Sequence, residues 1–242
     1  MAKNNKEYSD SISQRRELPV LTPKRIEIKE VSKLSDLNRI YKAIHLSKHG
    51  FKKCYPNRKV NSVYFDTIQM NSLEDSIEGS SERTKFRLRW YGTELTNCPA
   101  KLEIKNKKGT HSWKSIYDDG ILVNPNAKRW DNFINWGKRD FSRKTQLIGR
   151  FPSAIVCYDR EYYESLDKKI RITVDHALKT FEQISSRRVN FQKGKFHSNL
   201  VVTELKSDWR DSERLKDVLR DLPFTPRRFS KYCESIMPQK HH

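Results

Sequence analysis

Residues Thr84 to Tyr91 read TKFRLRWY, and their alternation decides the fold class. Side chains two apart in a strand share a face, so Phe86, Leu88 and Trp90 make one apolar face while Lys85, Arg87 and Arg89 make a wholly cationic one. The same period recurs along the chain. Lys101, Glu103, Lys105 and Lys107 oppose Leu102 and Ile104, and Lys169, Arg171, Thr173 and Asp175 oppose Ile170, Ile172 and Val174. Arg25, Glu27 and Lys29 alternate with Ile26 and Ile28, and Val202, Glu204 and Lys206 share a face near the end of the series. Period-two alternation is the signal of a strand. It predicts strands over 25–31, 60–67, 84–91, 100–107, 113–117, 154–164, 169–176, 180–184 and 200–206.

Apolar residues at helical spacing predict a helix over Ser35–His49, stopped by Gly50, and another around Pro125–Trp136. A short helix is expected at Ser142–Ile148, and a further one from Ser212, read as its N-cap, to a stop at Pro223. Helices interrupting a mostly antiparallel β series make the class α+β. Residues 1–22 are polar and aperiodic and read as a flexible lead-in. No repeat or Gly/Ser-rich linker divides the rest, so residues 23–238 read as one domain.

Among 242 residues, 49 Lys and Arg face 30 Asp and Glu, a formal charge of +19. Such a balance calls for a polyanionic partner: nucleic acid, an anionic membrane face or a phosphate-rich small molecule. Eleven per cent aromatic residues argue against disorder. No apolar run is long enough for a membrane span, and the N-terminal stretch has no apolar signal core, so a cytoplasmic protein is expected. Cys54, Cys98, Cys157 and Cys233 form no CxxC pair and read as reduced thiols. No GxxxxGK[ST] loop is present, which disfavours a Walker-type ATPase.

The cationic faces admit two readings. An antiparallel sheet often keeps one wet face, where charges are merely solvated. Strands of this number can also close into a barrel with alternate residues pointing inward. Roughly ten cations would then share a confined space, costly to desolvate unless it stays wet or binds an anion. Recurrence over five strands favours the barrel, and a water-filled cationic tunnel suits a linear phosphate chain better than nucleic acid, which needs an outer groove.

Seven strings in order carry a family resemblance: VNSVYFDT (60–67), KFRLRWYG (85–92), KLEIKNKKG (101–109), CYDREYYES (157–165), KIRITVDH (169–176), VVTELK (201–206) and RFSKY (228–232). Together they resemble the VTC domain, the polyphosphate polymerase domain of the vacuolar transporter chaperone family, in the triphosphate tunnel metalloenzyme superfamily. The resemblance implies an antiparallel β-barrel tunnel with flanking helices. It implies phosphate-handling roles for Arg87, Arg89, Lys105, Arg160 and Lys231, and a supporting lining of Lys29, Lys114, Tyr158, Arg171 and Lys206. It implies Glu204 as the ligand of Mn²⁺ or Mg²⁺, ATP and inorganic polyphosphate as substrates, and a separate partner for any membrane coupling.

Several residues read otherwise. Glu27 and Glu103 could hold metal or anchor a lysine, the anchor being favoured. Asp66 and Asp175 read as turn formers, and His45 and His49 as surface residues despite their i, i+4 spacing. Hydrolytic tunnel enzymes typically open on E-x-E-x-K, whereas this chain has Arg25-Ile-Glu27-Ile-Lys29. One carboxylate fewer favours holding a phosphate chain over activating water against it. A triphosphatase or polyphosphatase on the same fold, and a non-catalytic polyphosphate- or nucleic-acid-binding module, are the alternatives.

Overall fold

The computed structural model describes residues 20–21, 24–109, 111–137, 144–184 and 187–237. In chain order the elements are β1 (Val20–Leu21), β2 (Arg25–Lys33), α1 (Leu37–His45), β3 (Lys52–Asp66), α2 (Asn71–Glu78), β4 (Glu82–Tyr91), β5 (Cys98–Lys108), β6 (His111–Val123), α3 (Trp130–Phe133), β7 (Ile134–Asn135), β8 (Phe151–Glu164), β9 (Ile170–Glu182), β10 (Gly194–His197), β11 (Leu200–Asp208), α4 (Ser212–Asp221) and α5 (Lys231–Ile236).

All strand pairs are antiparallel, in the order β1-β6-β2-β11-β9-β8-β3-β4-β5, and β5 also pairs with β6. The path therefore returns on itself. β6 meets β2 at Arg25 opposite Ser112, and eight strands form a closed ring. Closure removes the free edges of the sheet and gives every ring strand an inside and an outside.

The apolar faces lie outside. Phe86, Leu88, Trp90, Leu102 and Ile104 are buried with Phe133 of α3 and Leu147 over one flank. On the other flank Ile170, Ile172, Val174 and Leu205 are buried under Ile40 and Ile44 of α1 and Leu215 and Val218 of α4. The apolar positions of these helices recur at one-turn spacing and so face the barrel. A third cluster lies on the inner wall at one end, where Val60, Tyr64, Val156, Tyr158 and Leu178 enclose Tyr232 of α5. Tyr232 stacks on Tyr64 with centroids 5.0 Å apart and donates to Asp66 at 2.6 Å. α5 thus packs at that end of the barrel.

The structure corrects several local expectations. The strands expected at 169–176 and 180–184 are the single strand β9, which passes through a register irregularity with Ala177 at φ 51. The helix expected over Ser35–His49 is a 3₁₀ turn followed by α1, which ends at His45. Around Pro125–Trp136 only Trp130–Phe133 is helical. Ser212 is the first residue of α4 rather than its N-cap; Asp211 holds the cap position. Residues 142–143 of the expected short helix, and 1–19 and 22 of the expected lead-in, lie outside the described residues. Asp66 is a turn former as read, accepting from the backbone of Thr67, Ser72 and Leu73.

Because Leu88 is fully buried in the outer core, Leu88→Ala should cost about 2–5 kcal/mol in a urea melt. A cost below about 1 kcal/mol would place Leu88 outside the packed layer.

Candidate functional site

Since the apolar faces pack outward, the charged faces turn inward, and their side chains meet across the ring. Arg87 Nε donates to Glu103 Oε2 at 2.6 Å, and Lys114 Nζ donates to Glu103 Oε1 at 2.9 Å. Arg89, 7% exposed, lies within 3.9 Å of Glu103 and 3.5 Å of Ser62 Oγ and Tyr158 Oη. Lys105 reaches across to Glu27 at 2.5 Å. Glu204 lies between Lys206 at 3.1 Å, Lys29 at 3.8 Å and Arg160 at 3.8 Å. Arg160 also grips Asp175 with both arms, at 2.5 and 2.7 Å, and Lys231 donates to Asp175 at 2.6 Å.

Ten of the eleven residues singled out in the sequence therefore share this lining. Arg171 stands apart, toward the open end, paired with Glu164 at 2.9 Å. Tyr158 carries two cations on its ring, Arg160 at 5.2 Å and Lys231 at 4.7 Å. Lys231 is placed by the first turn of α5, whose N-cap Ser230 accepts from the Cys233 backbone. His45 is exposed as read and packs edge-on to Tyr163, whereas His49, read as a surface residue, is buried 2.6 Å from Asp221.

Three further residues belong to the lining. Asp175, read as a turn former, is 2% exposed and is the clamp of Arg160 and Lys231. Lys85 donates to Ser230 Oγ at 2.9 Å, and among the described residues no carboxylate lies within ion-pair distance of it. Tyr64 takes a 3.5 Å contact from Arg87. Lys85 was legible as the first cation of TKFRLRWY. The pairing of Asp175 was not, since Lys231 lies 56 residues away in sequence.

Electrostatics sort these groups. Burial pushes the Glu204 carboxyl up, but Lys206, Lys29 and Arg160 outweigh it and hold it well below the ordinary carboxylate value. Glu103 follows the same logic: burial opposes ionisation and Arg87, Arg89 and Lys114 enforce it. Burial lowers Lys85 to about 8, with little from neighbouring anions to restore it. Lys29 ends above its ordinary value, because Glu204 and Glu27 outweigh its burial. Cations outnumber carboxylates on this lining by about two to one, so the tunnel retains a positive field focused by its own walls.

The model of the VTC domain family matches residues 2–238. The chain belongs to this family. No curated protein matches it by sequence. Among solved structures, the VTC domain is similar to the Hippeastrum adenylyl cyclase candidate HpAC1, described as having a dominant triphosphatase activity, at 13% identity and TM-score 0.49. That match covers 91% of this chain and 100% of the other. The PH1012 protein of Pyrococcus horikoshii OT3 matches at 12% identity and TM-score 0.49, over 88% of this chain and 99% of that one. A Bacillus halodurans adenylate cyclase candidate matches at 12% identity and TM-score 0.46, over 86% and 96%.

Among the described residues of this VTC domain no three His, Cys, Asp or Glu side chains cluster as a metal cage. The lining does hold two mutually repelling carboxylates, Glu27 and Glu204, on neighbouring strands. That pair fits a hard divalent cation that completes its shell with water and substrate phosphates, as Mg²⁺ characteristically does. Among the described residues no helix is long and apolar enough to cross a membrane.

The clamp at Asp175 should be visible in acid. Burial raises its pKa, but Arg160 and Lys231 bring it to about 2 against an ordinary 3.8, so its stabilisation is complete above about 4 and is lost as the pH falls through about 2. Wild-type stability in denaturant melts should fall steeply between pH 4 and 2, and Asp175→Asn should flatten that slope. Equal slopes would remove Asp175 from the account.

Proposed function

We propose that this VTC domain is a polyphosphate polymerase, moving the γ-phosphoryl group of ATP to the end of an inorganic polyphosphate chain. The observation that carries the proposal is the excess of buried and half-buried cations lining the tunnel, with α5 packed at one end. Confined cations repel one another, and a linear polyanion that displaces water along the axis relieves that repulsion over its whole length.

The reaction needs positioning more than side-chain chemistry. A terminal oxygen of the acceptor phosphate attacks the γ-phosphorus and forms the new P–O bond. The bond between the γ-phosphorus and the β,γ-bridging oxygen breaks, and ADP leaves with the electron pair. The attacking oxygen is already anionic, so no side chain has to remove a proton from it. Arg87, Arg89 and Arg160 hold equatorial oxygens and stabilise the charge spread over the transferred group. Lys105, Lys29, Lys206, Lys114 and Lys231 align the chain along the axis, which supplies most of the rate. Thr173, buried at the register of Glu204 with no hydrogen-bond partner for its hydroxyl among the described residues, adds a donor to the wall. Glu204, with Glu27 beside it, would hold Mn²⁺ or Mg²⁺, which when bound neutralises charge on the phosphate oxygens.

Pairing favours transfer over hydrolysis. Each lining carboxylate is already engaged by a cation: Glu27 by Lys105, Glu103 by Arg87 and Lys114, Asp175 by Arg160 and Lys231, and Glu204 by Lys206. A carboxylate so held is a poor base for water. The four free cysteines suit a reducing, cytoplasmic setting.

Incubation of the purified protein with ATP and Mn²⁺, with phosphate products resolved by size on a gel, tests the proposal. Long chains with matching ADP are expected. Orthophosphate alone would make it a hydrolase, and unchanged ATP despite tight polyphosphate binding would make it a binding module. Arg89→Ala and Lys105→Ala should each lose most transfer, by at least about a hundredfold, while remaining folded by circular dichroism. Glu204→Ala should abolish the dependence on added Mn²⁺, and an unchanged metal profile would move the metal elsewhere.

A further inference from the structure

The end of the tunnel opposite α5 carries side chains that phosphate binding does not call for. Tyr55 on β3 lies opposite Tyr162 on β8, and their rings meet edge-to-face at 5.6 Å. Arg58, two strand positions inward, lies against three rings: Tyr55 at 5.4 Å, Tyr91 at 5.6 Å and Tyr162 at 5.8 Å. Arg171 also lies 5.6 Å from the Tyr55 ring. Among the described residues no carboxylate lies within ion-pair distance of Arg58. Its contacts are with rings, whereas Arg87, Lys105 and Arg160 deeper in pair with carboxylates.

This collar is continuous with the phosphate lining. Arg160, at the centre of the tunnel, lies 6.0 Å from the Tyr162 ring, and Tyr91 follows Arg89 by two residues on the same face of β4. A phosphate chain has no π-face and gains nothing from three tyrosines. A flat heteroaromatic ring gains from tyrosine faces and guanidinium planes together. Position agrees with chemistry. With α5 packed at the far end, a nucleoside triphosphate whose γ-phosphate lies deepest leaves its base at this end. Tyr55, 43% exposed, presents a ring there.

We propose that Tyr55, Tyr162 and Arg58 form a nucleobase subsite at the open mouth of the tunnel, holding the ring of the donor nucleotide while its phosphates lie along the cations behind. The inference rests on the reading of ATP as phosphoryl donor. It assigns the mouth to the base and the interior to the phosphates.

Two ligands separate the parts. ATP and inorganic tripolyphosphate share the phosphate chain and differ in the nucleoside. Equilibrium binding of each to the full chain in Mg²⁺ buffer should show Tyr55→Ala weakening ATP by at least about fivefold and leaving tripolyphosphate unchanged, as expected for one lost stacking partner. Tyr55→Phe, which keeps the ring, should bind ATP as wild type does. Unchanged ATP affinity in Tyr55→Ala, or an equal loss for both ligands, would overturn the subsite. Wild-type protein that binds neither ligand would overturn the cationic-tunnel reading along with it.

Discussion

Mutual repulsion among the cations inside the barrel is the constraint to which the rest of the molecule answers. Arg87, Arg89, Arg160, Lys29, Lys105 and Lys206 project into one space, where each would be costly to desolvate alone. The chain meets that cost with a minority of carboxylates placed between cations rather than one beside each. Glu103 serves Arg87 and Lys114. Glu204 serves Lys206 and lies near Lys29 and Arg160, and Asp175 serves Arg160 and Lys231. Sharing leaves the wall folded yet under-neutralised. That imbalance is the physical basis of the proposed affinity for a polyanion.

A wet, charged interior moves the hydrophobic burden outward. The barrel cannot fill its centre with apolar side chains, so its stability comes from outer faces covered by α1, α3 and α4 and from the packing of α5 at one end. Lys231 joins these two roles. It follows the N-cap Ser230, starts the helix packed at one end of the barrel, and reaches back to Asp175 on β9. That helix is thereby tied to the charged lining.

Alternation made the barrel readable. In β4, β5, β9 and β11 one face is apolar and the other charged, so orientation followed from parity alone. Elements without that pattern were not readable. The first half of β3, Lys52–Lys59, is polar, contains Pro56 and carries little alternation, and it holds Tyr55 and Arg58 of the mouth. α2 has eight residues and only Ser72 buried, too little for a periodic signal. β9 read as two strands because the backbone irregularity at Ala177 shifts its parity. Within the site, cations announced themselves by type and spacing. The assignment of each to its carboxylate depends on ring closure, which brings Lys105 to Glu27 across 78 residues.

The most direct measurement is a crystal structure of the protein with inorganic tripolyphosphate. The account predicts phosphate density along the tunnel axis, with oxygens on Arg87, Arg89, Lys105 and Arg160 and one end directed at Lys231. Phosphate bound only on the outer surface, with the tunnel holding water alone, would contradict it.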